Sequence, residues 1–561
     1  MTWLVPLPVA LPLLGAGLAL VLGRRPLLRW VMSTAVLTTN VGIAAALLWE
    51  TDRNGPQVVW IGAWSQPLGI SLVADRVASL MLLVSAVVTL AVLVYSIGQG
   101  MTGDERDTPL TIYHPTFLVL SAGVSNAFLA GDLFNLFVSF EMLLFASYVL
   151  LTLGGTSARI RAGTIYVVVN VVSSALFLIS VAAVYAATGS LNLAQLSLRI
   201  AELPDPLALV LQLLLLTTFS IKAAVFPLSF WLPDSYPTAP APVTAVFAGL
   251  LTKVGVYAII RTQTLLFPDS PLTGPLLWAA LFTLLAGILG AVAQSDIKRM
   301  LSFTLVSHIG YMVFGVGLGT AAGYSGAIFY VTHHITIQTT LFLVLGLVER
   351  QGGSTSLIKL GGLAGLAPVV GVLFFVPAMN LAGIPPMSGF LGKASLVEAA
   401  IRVGTVPAYA VVAGGMLTSL LTLYAVGRTW NLAFWRTPEE AHEMIRELSD
   451  RNPLSGPDDV VPYRDRVRIG AGTYGVHDQV EARSVLDEED DTSRDLFQLT
   501  EQGLRPTRLP RTMVGATAGL AVFSLGLTVV AGALFGYTGR AADDLLDPGR
   551  YVSSVLTQEA R

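Results

Sequence analysis

Uninterrupted apolar runs, each long enough to cross a lipid bilayer, recur along this 561-residue chain and restrict what it can fold into. A helix needs about 20 apolar residues to span the hydrocarbon core. Fourteen runs come close to or exceed that length, from 3–23 to 512–536. Only 12% of the residues are charged and 54% are hydrophobic, so a soluble globule is excluded. The sequence therefore predicts an all-α, polytopic membrane protein with about 14 transmembrane helices.

Prolines interrupt two of these runs. Run 206–231 contains Pro227, and run 366–403, which is too long for one straight span, contains Pro377, Pro385 and Pro386. Irregular backbone at membrane depth must be buried in protein or line a watery cavity. Helices 4–8 and 9–13 form blocks of similar length, each with an interrupted fourth member. We therefore expect two inverted five-helix repeats with broken helices 7 and 12.

Charged residues outside the apolar runs predict the orientation of the chain in the membrane and its division into domains. Ten basic residues in short loops lie on the side of the loop between helices 1 and 2, against four on the other side, so we expect the first side to be cytoplasmic. Helices 1–13 occupy 1–435, with the expected functional core at 112–435, and 511–561 holds helix 14 and a tail. Between them, 436–510 is predicted to be an acidic cytoplasmic insertion, with 17 acidic residues and 10 arginines. Such composition favours a solvated, partly disordered loop; a regulatory or docking module is the alternative.

Four ionisable residues lie near the middle of apolar runs: Glu141, Lys222, Lys253 and Lys393. A charge at that depth costs about 2.5–3.5 kcal/mol on insertion scales, so such residues are usually paired, cavity-facing and functional. For any single one, a fixed ion pair that specifies helix packing is the alternative, and Lys253 alone could snorkel to internal water. Four together, two of them beside broken segments, favour a functional path.

One acid and three bases cannot all pair one to one. Burial disfavours the charged form of a carboxylate or an ammonium, and an opposite charge nearby favours it. A glutamate and a lysine that touch only part of the time therefore form a proton switch whose state depends on their separation.

Histidines within the apolar runs are further candidates, because an imidazole can relay protons near neutral pH. His308 lies in "TLVSHIGYM", and His333 and His334 are adjacent in "YVTHHITIQTTLF". For the adjacent pair, relay and hydrogen-bonded packing are equally open. Neighbours on a helix point about 100° apart, so the two cannot chelate one ion, and no metal site is expected. His114, near a membrane edge, is expected to be structural.

The sequence lacks the residues that several classes of function require. The absence of cysteine removes disulfides, thiolate metal sites and iron–sulfur ligation. Glycine-rich pieces such as "GVGLGTAAGYSG" lack the Lys-Ser/Thr of a phosphate-binding loop and favour close helix packing instead. No cofactor is expected, and the net charge of -3 gives no indication of nucleic acid.

Three segments carry a resemblance. "FPLSFWLPDSYPTAPAPVTAVFAGLLTKVGVYAIIR" (226–261), "SDIKRMLSFTLVSHIGYM" (295–312) and "LAGIPPMSGFLGKASL" (381–396) resemble the antiporter-like subunits shared by respiratory complex I, membrane hydrogenases and Mrp-type cation/proton antiporters. The segment "LLTKVGVYAIIR", the early "GISLVADRVASLM" and lysine at 393 are most similar to the D-type subunit of Mrp antiporters.

The resemblance implies site roles. Glu141 and Lys222 would form the switching pair, Lys253 and His334 would continue a hydrated mid-membrane axis, and Lys393 would open toward one aqueous side; His308 and His333 are weaker candidates. Two departures from the relatives stand out. Gln338 occupies a position where relatives often have lysine, and the insertion 436–510 is long.

The resemblance also implies a function. The leading hypothesis is a proton-translocating subunit of a multisubunit Na⁺/H⁺ antiporter in a bacterial plasma membrane, with A-, B-, C-, E-, F- and G-type subunits and membrane lipids as partners. One alternative is a proton-pumping subunit of a complex I or membrane hydrogenase, driven by redox chemistry in other chains. The other is a structural subunit that conducts nothing.

Overall fold

The computed structural model describes residues 2–23, 25–62, 64, 69–100, 112–153, 155, 157–268, 270–451 and 509–556. Within them, twelve helices are long and apolar enough to cross a membrane, which confirms the polytopic helical fold. These are α1 (Leu7–Val21, preceded by a 3₁₀ turn Thr2–Leu4), α2 (Pro26–Asn54), α3 (Arg76–Gln99), α5 (Leu133–Thr152), α6 (Ser157–Thr188), α8 (Asp205–Ala223), α10 (Ala241–Val246) continued through a π-turn (Phe247–Leu251) into α11 (Thr252–Leu265), α12 (Thr273–Val292), α13 (Ile297–Gly317), α14 (Ala321–Gly352), α18 (Val406–Thr429, ending in a π-turn Trp430–Trp435) and α20 (Arg511–Val529).

Shorter elements connect these spans. They are α4 (Tyr113–Leu129), α7 (Leu193–Ile200), α9 (Leu232–Ser235) with a 3₁₀ turn (Tyr236–Thr238), α15 (Leu363–Leu366), α16 (Pro368–Ala382), α17 (Ser388–Val403), α19 (Pro438–Arg451), α21 (Ala531–Leu546) and α22 (Gly549–Leu556), with strands β1 (Gln57–Ile61) and β2 (Ile70–Ala74). The helix α4 and the pair α16–α17 stand where the two other spans were predicted. The count of fourteen and the inverted repeats stay predictions.

Both proline-containing runs are broken helices. The run 366–403 divides into α16 and α17, as predicted. The other, α8, ends at Ala223, four residues before Pro227, because Ala224 adopts the left-handed conformation with φ 58°. That conformation is unfavourable for a residue with a Cβ, so it needs support from the surrounding packing.

A two-stranded antiparallel hairpin departs from the all-α prediction. Residues 72–74, expected within the third helix, belong to β2, and α3 begins at Arg76 after the cap Asp75. Short backbone bridges extend the hairpin, joining Leu72 to Ala130 and Asp132 to Asn192. With α7, α21 and α22, the hairpin covers one end of the helical bundle, which we call the hairpin face.

The last predicted span, 512–536, is also divided. The helix α20 ends at Val529, and α21 begins at Ala531 as a separate element on the hairpin face. Ion pairs hold α21 there, since Arg540 binds Asp52 at 2.7 Å and Asp544 pairs with Arg76. Of the predicted insertion 436–510, α19 is described and 452–508 lies outside the described residues.

Helix α14 is the centre of the bundle. Its apolar window is entirely buried, and those of α13 and of the α10–α11 span are 94% buried. A helix that is apolar on all sides is expected in the core. The ionisable candidates of these helices are therefore enclosed by protein and not by lipid.

Candidate functional site

Lys222 lies in the last turn of α8 and is 6% exposed. Its ammonium donates to the Ser174 hydroxyl at 3.2 Å and to the Asn170 carbonyl at 3.4 Å, both on α6. It also lies 5.8 Å from the centre of the Phe140 ring. A cavity of ≈ 20 Å³, lined by Phe140, Asn170, Tyr166 and Trp231 among others, adjoins the lysine and has room for about one water molecule.

Glu141 forms no ion pair with Lys222 among the described residues, although the sequence led us to expect that contact. The Glu141 Oε1 atom is buried without a hydrogen-bond partner in the same part of the chain. The physical reason lies in α5, where Phe140 is the side chain that meets Lys222 and Glu141 lies on a half-exposed side. The two charges still interact electrostatically.

Lys253 follows the π-turn at the start of α11 and is fully buried. Its ammonium donates to the carbonyl of Ala248 inside that turn. A π-turn disturbs the regular helical hydrogen bonding and is frequent at functional sites. Two residues on, a Cβ at Gly255 would lie 2.7 Å from the Ala223 nitrogen, so glycine lets α11 approach the end of α8.

A cluster of rings occupies the space between α13 and α14. His308 Nδ1 lies 2.9 Å from the Tyr330 hydroxyl, and the rings of His308 and His334 are 5.2 Å apart. Tyr311 packs against both His308 and Tyr330. Neither nitrogen of His334 has a hydrogen-bond partner among the described residues, and both histidines interact electrostatically with Lys253.

Lys393 completes this row in α17. Its ammonium donates to the carbonyls of Leu381 at 3.0 Å and Ala382 at 2.9 Å, which are the last carbonyls of α16. A cation is favourable at a helix C-terminus, where carbonyls lack helical partners. The ammonium also lies 5.1 Å from the centre of the Tyr311 ring, so Lys393 joins the break to the ring cluster.

His333 points to another part of the same break. Its Nδ1 lies 2.9 Å from the hydroxyl of Ser388, the first residue of α17, and its Nε2 has no partner among the described residues. His114, by contrast, lies 3.1 Å from Ser33, outside this row.

Sequence reasoning missed the neutral polar partners. Ser174, Tyr330 and Ser388 contact candidates through their side chains, Asn170 binds Lys222 through its backbone carbonyl, and Asn380 binds Ser388. None of them carries a charge that makes it stand out. Asn380 had a weak signal, because it is isolated in the apolar run "FFVPAMNLAG". Gln338 donates to the Leu301 carbonyl at 2.8 Å, and its Oε1 has no partner in the described part.

The candidates therefore lie in a row through the bundle. Lys222 stands at one end, Lys253, His334 and His308 in the middle, and Lys393 at the other. The family model described as "NADH:quinone oxidoreductase/Mrp antiporter, TM" matches residues 130–422, which contain all of them. The chain belongs to this antiporter family.

Curated relatives in the family are similar over most of their length. The D-type subunit of a Na⁺/H⁺ antiporter from Bacillus subtilis is 41% identical over 451 residues, which are 79% of this chain and 90% of the relative. Its counterpart from Alkalihalophilus pseudofirmus is 40% identical over 452 residues, with the same coverage.

Solved structures share the family fold. A chain in the Mrp complex from Dietzia sp. DQ12-45-1b matches with a TM-score of 0.82 at 32% identity, covering 99% of this chain and 100% of that one. A chain in an archaeal membrane-bound sulfane sulfur reductase matches with a TM-score of 0.80 at 24% identity, which shows the fold alone.

Proposed function

We propose that this chain is the D-type, proton-translocating subunit of a multisubunit Na⁺/H⁺ antiporter of the Mrp kind in a bacterial plasma membrane. The observation that carries the proposal is the buried row of Lys222, Lys253, His334, His308 and Lys393 in a chain 41% identical to the D-type subunit of a Na⁺/H⁺ antiporter. The membrane potential supplies about 2.3 kcal/mol per charge per 100 mV to drive such transport. The chain is thus a transporter subunit and not an enzyme.

Lys222 and Glu141 act as the switch in this proposal. In the structure, the ammonium of Lys222 binds Asn170 and Ser174 of α6, while Glu141 Oε1 has no partner in the described part. Movement of the ammonium toward Glu141 favours the charged form of both groups, and return to α6 releases that mutual stabilisation. The position of Lys222 at the free end of a broken helix supports such a movement.

Protons then pass along the ring cluster to Lys393. Imidazoles and tyrosine hydroxyls can both donate and accept, and the His308–Tyr330 contact of 2.9 Å is a hydrogen bond of that type. At the far end, Lys393 can release a proton because its partners are backbone carbonyls and not a carboxylate.

The incomplete burial of Glu141 leads us to expect a partner subunit. Glu141 is only partly buried in a membrane-spanning helix, and a charge that meets lipid is costly, so another subunit is expected to cover this side of α5. The relatives are subunits of a named type, and the matched structure is a complex. The insertion 436–510 then faces the cytoplasm, as the distribution of basic loop residues predicts.

The test measures Na⁺-dependent dissipation of a pH gradient in vesicles that carry the whole complex. Glu141→Ala, Lys222→Ala and Lys393→Ala should each lower the rate by about tenfold or more, because each removes a charge from the proposed switch or from the row. Lys359→Ala is the matched control, since this lysine lies in the loop before α15 and should retain the full rate. Full activity of all three charge variants in normally assembled complexes would refute the proposal.

A further inference from the structure

The break between α16 and α17 is held by side chains rather than by a helix cap. Met387, which precedes α17, makes no side-chain cap hydrogen bond. Instead, the Gly389 amide donates to Asn380 Oδ1 at 2.8 Å, and the Ser388 amide donates to Thr528 Oγ1 at 3.0 Å. These two residues satisfy donors that every helix N-terminus leaves free.

Glycine at position 389 permits this arrangement. A Cβ there would lie 2.0 Å from the carbonyl oxygen of Asn380, so a larger residue could not stand this close to the last turn of α16. The amide of Asn380 is thereby fixed in direction, because its oxygen must face the Gly389 N–H. Its nitrogen donates to Ser388 Oγ and to Ser524 Oγ, each at 3.2 Å.

The orientation of Asn380 decides which way the Ser388 proton points. Ser388 Oγ accepts from Asn380, so its own proton is available to His333 Nδ1 at 2.9 Å. The competing acceptor, Asn380 Oδ1, is farther away at 3.4 Å and already accepts from Gly389. When the Ser388 hydroxyl donates to Nδ1, neutral His333 carries its proton on Nε2, the ring atom that has no partner among the described residues.

Helix α20 supplies the outer end of this chain of contacts. Ser524 and Thr528 are four residues apart and therefore share one face of the helix. Ser524 is 2% exposed, while Asn380 and Ser388 are fully buried. The predicted five-helix blocks do not include α20, and none of its residues is among the predicted proton carriers.

We propose that Ser524 and Thr528 are positioning residues for the proton path: through Asn380 and Ser388 they keep the His333 proton on Nε2, next to the histidine–tyrosine cluster. The proposal rests on the proposed function of the chain as a proton-translocating subunit. It assigns α20 a part in proton transfer and not merely in packing.

The experiment replaces both hydroxyls, as Ser524→Ala with Thr528→Val, in the whole complex in vesicles. The rate of Na⁺-dependent gradient dissipation is measured from pH 6 to about 9, a range that starts near the ordinary pKa of histidine. We expect a rate several-fold below wild type and a pH profile displaced by roughly half a unit to one unit, the effect of one lost hydrogen bond. The single variant Thr528→Ser, which keeps the hydroxyl, should retain the wild-type profile.

Thr517→Val is the matched control. Thr517 is buried on α20, and its hydroxyl donates at 2.8 Å to the Met513 carbonyl of its own helix. A normal profile is expected. If Thr517→Val were as impaired as the double variant, or if the double variant lost rate without a displaced profile, packing would be the cause and the inference would be wrong.

A second background separates this inference from the proposed function. In His333→Ala complexes the double substitution should have no further effect, because its target is already absent. An additive effect would overturn the inference while leaving the proposed function intact. If the double variant fails to assemble, Thr528→Val alone is read by the same assay and criteria. Full activity of the Lys222→Ala and Lys393→Ala complexes, in contrast, would refute the function itself.

Discussion

Single buried side chains in this protein are distinguished by their partners more than by their burial. Lys222, Lys253 and Lys393 are all buried, yet Lys222 binds groups of another helix, Lys253 a carbonyl within its own π-turn and Lys393 the end of α16. A movement of the end of α8 could give Lys222 different partners. The other two are tied to interruptions of the backbone.

Asp132 is a residue outside this row for which the structure predicts a pH effect. It caps α5 by accepting from the Asn135 amide at 2.6 Å, and its Oδ2 has no partner in the described part. Burial raises the pKa of Asp132 from 3.8 to about 6. A carboxyl with a raised pKa contributes stability that is present below its unfolded pKa and is lost as the pH rises through its folded pKa.

Asp132→Asn should therefore stabilise the complex increasingly between pH 4 and about 7, by up to a few kcal/mol, because asparagine keeps the cap without the buried charge. Thermal unfolding of the detergent-solubilised complex across this range measures it. Asp296→Asn is the control, since both Asp296 oxygens accept hydrogen bonds, from Arg299 and Thr355, and no gain is expected. A variant less stable than wild type at pH 8 would contradict the prediction.

Elements of this fold are interrupted where the charged residues stand. The end of α8, the π-turn before α11 and the break between α16 and α17 each expose backbone groups that a continuous helix would satisfy internally. Two of the candidate lysines use those groups directly. The interruptions are thus part of the site.

Gly255→Ala tests the approach of two such elements. The added Cβ would lie 2.7 Å from the Ala223 nitrogen and 3.0 Å from the Lys222 carbonyl carbon, so α8 and α11 must separate. We expect a loss of about 1–3 kcal/mol in stability, as for other overpacked sites, and a lower antiport rate, because Lys222 is displaced.

Gly427→Ala provides the comparison. This glycine lies within α18, and a Cβ there would meet nothing within 4 Å. Its replacement should leave the antiport rate unchanged and stabilise the helix slightly. Equal melting temperatures and rates for Gly255→Ala and wild type would show that the approach of α8 to α11 has no role.

The whole molecule encloses its candidate lysines and histidines but leaves Glu141 only partly buried. Ion pairs fasten the hairpin face, where Arg261 binds Asp75 at 2.6 Å with both side chains largely buried. Ion pairs thus hold the hairpin face, and the side of α5 that carries Glu141 is where we expect a partner subunit.

For the isolated subunit in lipid nanodiscs, Glu141→Gln should raise the free energy of unfolding by about 1–3 kcal/mol, since it removes a partly buried carboxylate whose Oε1 has no hydrogen-bond partner among the described residues. In the complete complex the same change should abolish antiport. Glu349→Gln is the control; Glu349 pairs with Lys298 at 2.7 Å, so the isolated subunit should gain nothing. No gain for Glu141→Gln would mean that the carboxylate is satisfied within the subunit.

The sequence alone was sufficient for the helical membrane fold, for the break in 366–403 and for the family resemblance, because apolar length, proline and buried charge are local properties. It failed where local rules conflict. Residues 72–74 are apolar enough to continue a helix but pair with β1, and 512–536 divides because α21 is bound by ion pairs to Asp52 and Arg76.

The sequence by itself determined which residues carry the cost of a charge in the membrane: Glu141, Lys222, Lys253 and Lys393. Only the tertiary structure decided their partners. Lys222 binds α6 and not Glu141, and His333 is connected to α20 through Ser388 and Asn380. The physical reason is that burial is encoded along one helix, whereas a hydrogen bond depends on the distance and direction between groups on different helices.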